Sequence, residues 1–389
     1  MPALLLGGVA APTVSAAPVT VGAPSEVVTT ATADGAAADA PGTLRASSPM
    51  PRELWLDGAV DASRIEYVTT GPHGPSLCTG VVYLPEGPVP PGGWPVIAWA
   101  HGTVGDSDFD APSRTGEHPD TAAYTAGWLQ RGYAVVATDY VGMGSPGVAP
   151  YLDGDAAAHA VIDSVRAAHQ ATDSLSDAWA VVGLSQGGQA AMFTASMADS
   201  YSAAAGAAPQ ADFRGTVAIG VPSNIETLAP LGGPWFPPAG LFSGLTNFMS
   251  FAIAGLRDVR PDVDVNSYLT PVGRTLVDAA PTLPYAEFGK LSDGVSVSQM
   301  LSRSLNDPTL LAAMRDYMAI PLDGYREPLM IVQGAADTVV PIPLTLKLLA
   351  DLNLAGVHPD FQVVPGGHIQ SIYDSEHLAA DFVAGLFGR

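Results

Sequence analysis

Residues 181–190 read VVGLSQGGQA, a serine set among glycines directly after an apolar run. One interpretation is a strand that ends in a tight turn, which is common in any α/β protein. The other is a nucleophile elbow, G-x-S-x-G, in which the serine occupies a strained turn between a strand and a helix. The residues two before and two after that serine must be small because the backbone folds back past them, and Gly183 and Gly187 stand there. Since the preceding run is typical of a buried strand and the following segment of a helix, we favour the elbow, with Ser185 as the nucleophile.

Short β-rich runs alternate with segments of helical composition along most of the chain. This alternation predicts an α/β fold, a mostly parallel sheet flanked by helices. The runs predicted as strands are residues 64–70, 78–84, 95–100, 133–138, 179–182, 215–219, 328–333 and 361–364.

The alternation stops between Val221 and Asp323, where apolar side chains recur at helical spacing instead. They form one broad apolar face, which belongs either to an ordinary core helix or to a cap that covers an active site. We expect a main domain over residues 49–389 with a helical cap inserted at about 222–322. The candidate substrate contacts are Leu241, Phe242, Leu245, Phe248 and Met249 on this face, and Leu184 next to the serine.

A serine hydroxyl needs a base that takes its proton, and the base needs an acid that fixes its tautomer. In this class of sheet the acid and then the base follow the serine, each on a loop after a strand. LMIVQGAADTVVP places Asp337 just after one predicted strand, and FQVVPGGHIQ places His368 just after the next. The competing side chains lie in helical segments or ahead of strands: His159, His169, His358, His377, Asp323 and Asp360. The sequence therefore predicts a triad of Ser185, Asp337 and His368.

The charge that develops on a substrate carbonyl needs two preorganised N–H donors. One is the backbone N–H after the nucleophile, that of Gln186. The other comes from the loop after an earlier strand, where VIAWAHGTVG offers Thr103 first and Gly102 next. His101 precedes the serine in the chain, so we expect a structural role for its ring.

Composition excludes several classes of protein. Of 389 residues, 47% are hydrophobic and 14% charged, which excludes a disordered chain. The net charge of −22 repels nucleic acid and anionic membranes, so neither is an expected partner. The single Cys78 cannot form an internal disulfide, and no apolar run reaches the roughly 18 residues of a transmembrane helix.

Residues 1–48 differ in composition from the rest. Residues 3–11 are an apolar run, and Val14-Ser15-Ala16 offers a small-x-small cleavage pattern, although no basic residue precedes Arg45. We interpret the start as the remainder of a signal peptide, followed by a flexible Ala/Thr/Pro-rich leader. This interpretation predicts a secreted, extracellular protein.

Several motifs occur together in a fixed order: AWAHGTVG, APS, TDYVGMGSPG, PYLDG, DSVRAA, GLSQGG, GAADTVVP and GGH. In this order they resemble the bacterial branch of the secretory lipase family of α/β-hydrolases, from about residue 60 to the end. The resemblance implies an α/β-hydrolase fold with a helical cap, and a secreted enzyme that cleaves carboxylic esters such as acylglycerols. At matching positions it makes Ser185 the nucleophile, Asp337 the acid and His368 the base. The chain departs from the family at Asp110, before APS, and at Leu184, and the cap matches least.

We therefore expect a serine ester hydrolase of lipase or carboxylesterase type that acts on a small-molecule or lipid ester and needs no metal or organic cofactor. Acyl transfer to an alcohol other than water, or amide cleavage, uses the same triad and remains open. A non-catalytic binding module is the alternative of a different class. Labelling of Ser185 by a fluorophosphonate separates a catalytic protein from a binding module.

Overall fold

A computed structural model describes residues 39–204, 212–237 and 244–389 of the chain. The described strands are β1 (Leu44–Pro49), β2 (Ala59–Gly71), β3 (Gly74–Pro85), β4 (Trp94–Ala100), β5 (Ala134–Thr138), β6 (Leu175–Leu184), β7 (Asp212–Ile219), β8 (Leu329–Gly334) and β9 (Asp360–Val364). They form one sheet in the order β1-β2-β3-β5-β4-β6-β7-β8-β9. Every pair from β5 to β9 is parallel, whereas β1, β2, β3 and β5 pair antiparallel.

The helices that the structure describes are α1 (Pro112–Thr115), α2 (Pro119–Gln130), α3 (Gly154–Ala171), α4 (Gln186–Ala204), α5 (Ile225–Leu228), α6 (Leu245–Val259), α7 (Pro271–Ala279), α8 (Tyr285–Ser292), α9 (Val297–Met300), α10 (Pro308–Met318), α11 (Ile342–Leu354), α12 (Gln370–Asp374) and α13 (Glu376–Leu386). In these parts of the chain, no helix combines the length and the apolar composition needed to span a bilayer.

Helices cover both faces of the sheet because the parallel strands are apolar on both sides. Along β4, Val96 and Ala98 join a core cluster with α3, α4 and α11. The alternate residues Ile97 and Trp99 join a second cluster with α2, α12 and α13. The predicted fold, a mostly parallel sheet flanked by helices, is therefore confirmed.

Strand β1 differs from the expectation of a leader that reaches residue 48. Residues 44–49 pair with β2 at the edge of the sheet, so this part of the predicted leader belongs to the folded domain. The strand escaped prediction because five of its six residues are exposed and its sequence, LRASSP, contains no β-branched or aromatic residue. Residues 1–38, with the predicted signal peptide remainder, lie outside the described residues.

The chain between β7 and β8 contains α5 to α10 and, in the parts that are described, none of the sheet strands. This helical segment has a hydrophobic core of its own, built around residues such as Phe251, Leu276, Phe288 and Met300. The main domain contributes buried residues to this core from the segment that precedes α3, Tyr151 and Leu152. Assignment of the whole segment as a cap stays a prediction.

Candidate active site

The serine of the GLSQG motif lies at a sharp turn between a strand and a helix. β6 ends at Leu184, α4 begins at Gln186, and Ser185 between them has a φ of 59°. A non-glycine residue in this left-handed region carries roughly 1–2 kcal/mol of strain. The Ser185 N–H donates to the Ile219 carbonyl at 2.8 Å, and the Ser185 carbonyl accepts the Gln189 N–H at 3.0 Å. This is the strand-turn-helix geometry expected of a nucleophile elbow.

Three glycines around Ser185 allow neighbouring backbones to touch. A Cβ on Gly183 would overlap the Gly187 carbonyl, and a Cβ on Gly187 would overlap the carbonyl of Ala100 at the end of β4. A Cβ on Gly188 would lie 2.7 Å from the Ile219 carbonyl oxygen. Larger residues would push the turn away from β4 and β7, so packing explains the glycine spacing of the motif.

The predicted acid and base are in direct contact. His368 Nδ1 lies 2.6 Å from Asp337 Oδ2, and the Asp337 side chain is completely buried. The other carboxylate oxygen, Oδ1, accepts the backbone N–H groups of Val339 and Val340, each at 2.8 Å. Because an ionised carboxylate only accepts, His368 Nδ1 carries the proton in this contact and Nε2 is left with its lone pair. Nε2 is buried and has no hydrogen-bond partner among the described residues.

Ser185 and His368 both lie at the end of β7. Ser185 is bonded to Ile219, the last residue of that strand, and the His368 ring packs against the next residue, Gly220. No hydrogen bond joins Ser185 Oγ to His368 Nε2 in the described structure. Such bonds are often long in unliganded enzymes and tighten only when substrate binds. All the predicted triad residues therefore follow strand ends at one edge of the sheet, with the acid and base paired directly.

Two of the predicted oxyanion donors, Gln186 and Gly102, lie beside Ser185. Gln186 is the first residue of α4, and a helix leaves its first four N–H groups without an intrahelical partner. A Cβ on Gly102 would be 3.7 Å from Ser185 Cβ, so the loop after β4 passes next to the serine. Thr103 is the next residue in this loop, and its Oγ1 lies 2.6 Å from the Tyr151 hydroxyl. The loop is thus anchored on the segment that precedes α3.

His101, the first residue of this loop, has a buried side chain. Its Nδ1 lies 2.6 Å from the Gly102 carbonyl, and its ring is 4.5 Å from that of Tyr140. The Tyr140 hydroxyl in turn donates to the His101 carbonyl at 3.0 Å. The ring therefore makes contacts that support the backbone of the loop.

Two carboxyl groups of the loop after β4, those of Asp106 and Asp110, received no site role from sequence reasoning. Asp106 is buried with neither oxygen hydrogen-bonded among the described residues, and burial together with the nearby charge of Asp110 raises its pKa well above the usual value. Asp110 accepts from the Ser107 hydroxyl at 2.7 Å and, through Oδ1, from the backbone N–H of Tyr285 at 2.9 Å. Asp110 therefore bonds this loop to the first turn of α8 in the helical segment.

Gln333 is another residue near the site that sequence reasoning missed. It is fully buried near the end of β8, and its amide nitrogen lies 3.3 Å from Asp337 Oδ2. The sequence does contain a signal, a glutamine inside the otherwise apolar run LMIVQG. A buried amide must find hydrogen-bond partners, so a glutamine at this position indicates a polar contact near the end of the strand.

Three of the four competing histidines, His159, His169 and His358, contact groups away from Ser185. His159 stacks on Tyr201 at 4.1 Å, and burial lowers its pKa. Both ring nitrogens of His169 lie within 3.1 Å of backbone carbonyls. His358 is bonded to the side chain of Asn353 at 2.6 Å. These contacts are typical of packing residues.

The candidate substrate contacts differ in burial and in their place in the fold. Leu184 is 1% exposed and belongs to the core cluster on the α2 side of the sheet. Leu241 and Phe242 lie outside the described residues. Leu245, Phe248 and Met249 lie on α6, where they are half-buried against the core of the helical segment. The fully buried side of α6 is a different one and includes Phe251 and Ala254, so the predicted apolar face is not the most buried face.

The chain is similar in sequence to one described family. The sequence model of the family described as "Secretory lipase" matches residues 120–363, which include Ser185 and Asp337 and end shortly before His368. Comparison with curated proteins finds no match.

Solved structures share the fold. Lipase A of Candida antarctica in its closed state is 20% identical with a TM-score of 0.71, and the match covers 91% of this chain and 84% of that one. A mutant of the rice cell wall degrading esterase LipA of Xanthomonas oryzae is 19% identical with a TM-score of 0.71, over 90% of this chain and 99% of that one. A hydrolase of Legionella pneumophila described as putative is 18% identical with a TM-score of 0.68, over 88% and 98% of the two chains.

Proposed function

This chain belongs to the secretory lipase family of α/β-hydrolases, and on that premise we propose that it hydrolyses carboxylic esters with Ser185 as nucleophile, His368 as base and Asp337 as the acid that orients it. Family membership and fold support an ester hydrolase of lipase or esterase type. The observation that carries the assignment of the triad is the 2.6 Å contact between His368 Nδ1 and Asp337 Oδ2. It leaves Nε2 buried, without a hydrogen-bond partner in the described parts of the chain, at the end of β7, where the Ser185 N–H donates to the Ile219 carbonyl.

In the first half of the reaction, Ser185 Oγ bonds to the ester carbonyl carbon while His368 Nε2 takes the hydroxyl proton. The carbonyl oxygen becomes negatively charged, and the N–H groups of Gln186 and of Thr103 or Gly102 stabilise it. One such donor typically contributes about 3 kcal/mol to the transition state. His368 then passes its proton to the leaving alcohol, and the carbon–oxygen bond to that alcohol breaks.

In the second half, water attacks the acyl-enzyme and His368 again takes and returns one proton. The products are a carboxylic acid and an alcohol, and Ser185 regains its hydrogen. Asp337 keeps its negative charge throughout and stabilises the imidazolium that forms twice in the cycle. The two N–H groups that bind Oδ1 hold the carboxylate in the orientation that this role requires.

We also propose that the helical segment at about residues 222–322 caps the site. Three contacts with the main domain support this role. Gln189 of α4 donates to the Met318 carbonyl at 3.0 Å, the Tyr317 hydroxyl donates to the Tyr151 carbonyl at 2.9 Å, and Asp110 accepts from Tyr285. Each reaches an element that also carries or supports Ser185 or the oxyanion loop.

The proposal includes secretion. The family is named for it, and the apolar run at residues 3–11 with the small-x-small pattern after it supports a signal peptide. The measurement is the presence of the protein in the medium, with deletion of the apolar run as the control that retains it inside the cell.

The test of the function is a panel of p-nitrophenyl esters of increasing acyl length, assayed with matched anilides, alongside fluorophosphonate labelling. We expect ester turnover, a label at Ser185, and loss of both in Ser185→Ala. An unlabelled, inactive wild-type protein would support a binding module instead. Faster anilide than ester cleavage would favour an amide hydrolase, and ester product formed only with an added alcohol would favour acyl transfer.

A further inference from the structure

The amide of Gln333 is buried between the triad acid and helix α11. Gln333 is 0% exposed, and its Nε2 lies 3.3 Å from Asp337 Oδ2, 3.0 Å from the Val340 carbonyl and 3.2 Å from the Gly334 carbonyl. Its Oε1 accepts a hydrogen bond from the Thr345 hydroxyl at 2.6 Å. Thr345, on α11, is itself 0% exposed. A continuous series of hydrogen bonds therefore runs from Thr345 through Gln333 and Asp337 to His368.

The orientation of this amide follows from its surroundings. In the described structure, the side of Gln333 that faces Asp337 is bordered by three oxygen acceptors, so the NH₂ group is the end of the amide that suits this side. A flipped amide would place Oε1 against the charged carboxylate. The Thr345 hydroxyl, which can donate, meets the carbonyl end. Thr345 and the acceptors around Asp337 thus select the same orientation.

We propose that Gln333 is a positioning residue for the Asp337–His368 pair, and that Thr345 acts through it by orienting its amide. This inference rests on the proposed triad. The inference follows from the hydrogen bonds of Asp337. Two backbone N–H groups donate to Oδ1, whereas Oδ2, which contacts the imidazole, accepts a second hydrogen bond from Gln333 and from no other described residue.

The Gln333 donor also affects the charge that the imidazole meets. A hydrogen bond donated to a carboxylate disperses its negative charge, and its removal leaves more charge on Oδ2. The imidazolium form of His368 is then stabilised, so a higher pH is needed to remove its one extra proton and free Nε2 to act as a base. Asp337 is the charged side chain in direct contact with the His368 ring among the described residues. The next acid along the chain, Asp374, accepts instead from the backbone N–H of Gly366 at 2.8 Å.

The experiment compares Gln333→Met, Thr345→Val, Thr345→Ser and the double variant Gln333→Met/Thr345→Val. Methionine and valine keep the volume of the native side chains and remove their hydrogen bonds. We expect Gln333→Met to lose about 10- to 100-fold in kcat, as for a hydrogen bond to a charged group, with KM nearly unchanged. The acid limb of kcat/KM should move to higher pH. Thr345→Val should lower kcat and move the acid limb to higher pH, each by less than Gln333→Met does. Thr345→Ser keeps the hydroxyl, so its kcat and acid limb should be close to those of the wild type.

The double variant tests whether Thr345 acts through Gln333. If it does, the double variant is no worse than Gln333→Met alone, whereas independent roles would multiply the two losses. Thermal melting serves as the control for folding, and Thr345→Val keeps the test open if Gln333→Met does not fold.

Two results would overturn the inference. One is unchanged kcat and pH profile in Thr345→Val and Gln333→Met. The other is a loss of activity with the acid limb unmoved and a matching loss of thermal stability, since packing alone would produce that pattern. Failure of the proposed function looks different, because the wild-type protein itself would then lack ester turnover and fluorophosphonate labelling.

Discussion

Gly220 packs directly against the imidazole of His368. Gly220 has a φ of 57°, and a Cβ built on it would lie 3.0 Å from His368 Cε1 and 3.2 Å from Nδ1. The residue after β7 therefore forms one wall of the space that holds the proposed base, and a side chain there would displace the ring.

Gly220→Ala should lower kcat by an order of magnitude or more with a smaller effect on KM, because a displaced imidazole could not contact Asp337 and also reach the serine hydroxyl when substrate binds. Backbone strain alone should also cost about 1 kcal/mol of stability. The matched control is Gly294→Ala, since Gly294 has a φ of 71° and open space around the Cβ position. If Gly220→Ala and Gly294→Ala lost the same stability and both kept the activity of the wild type, the proposed role of Gly220 would be contradicted. The measurements are steady-state kinetics and chemical denaturation.

The difference between what sequence could and could not predict is clear at the end of β8. The contact between Asp337 and His368 was predictable because parallel strands end at one edge, which brings the loops after consecutive strands together. Gly183 and Gly187 marked the elbow because only glycine tolerates those backbone contacts. The partners of Gln333 were not predictable, since Thr345 meets it from a helix whose orientation depends on packing. The buried side of α6 was missed for a similar reason: apolar residues occur on more than one side of it, and the neighbouring helices decide which side is covered.

The strained backbone of Ser185 predicts opposite effects on stability and activity. Glycine adopts a φ of 59° without the steric penalty that serine and alanine carry there. Ser185→Gly should therefore be more stable than Ser185→Ala by about 1 kcal/mol, while both lose several orders of magnitude in kcat. Chemical denaturation and ester turnover measure the two quantities. Equal stability of the two variants would show that the turn is not strained, and normal turnover by either would reject Ser185 as nucleophile.

The predicted base gives the activity a definite pH dependence. A histidine must be neutral to accept a proton, and in model peptides it titrates at about pH 6.5. The value of kcat/KM should therefore fall on the acid side with a single ionisation. His368→Ala should fold normally and remove this ionisation from the residual rate. A profile that stays flat from about pH 5 to 8 in the wild type, with chemistry limiting, would argue against a histidine base.

Asp153, the N-cap of α3, predicts a pH dependence of stability. Its side chain accepts the Ala156 N–H at 3.1 Å, and burial raises its pKa to about 6. The folded protein then binds this proton more tightly than the unfolded chain does, so stability falls as pH rises from about 4 to 6 and the full penalty persists above that range. Asp153→Asn keeps the capping oxygen without the charge. It should stabilise the protein by about 2 kcal/mol at pH 8 and have little effect at pH 4.

The control for Asp153 is Asp155→Asn, which removes an exposed charge from the same first turn of α3. Because an exposed carboxylate near a helix N-terminus is favourable, this variant should be neutral or slightly destabilising at pH 8. Denaturation midpoints at the two pH values provide the measurement. Equal effects of both substitutions at pH 8 would show that burial of Asp153 carries no electrostatic penalty.

Two phenylalanines of α6 distinguish a cap that lines an acyl pocket from an ordinary core helix. Phe248 is half-buried and its ring lies against Gly244, whereas Phe251 is 1% exposed within the core of the helical segment. If the side of α6 with Phe248 lines the acyl pocket, each buried CH₂ of the substrate gains about 0.8 kcal/mol until the pocket is full. Phe248→Ala should then lower kcat/KM for long-chain esters and leave kcat/KM for acetate esters nearly unchanged.

The control is Phe251→Ala, which should cost about 3–5 kcal/mol of stability and lower kcat/KM for all substrates together, because it opens a cavity in the core. The measurements are kcat/KM across acyl lengths and thermal melting for both variants. A uniform loss with a lower melting temperature in Phe248→Ala would reject the pocket and leave α6 as a core helix on both of its apolar sides.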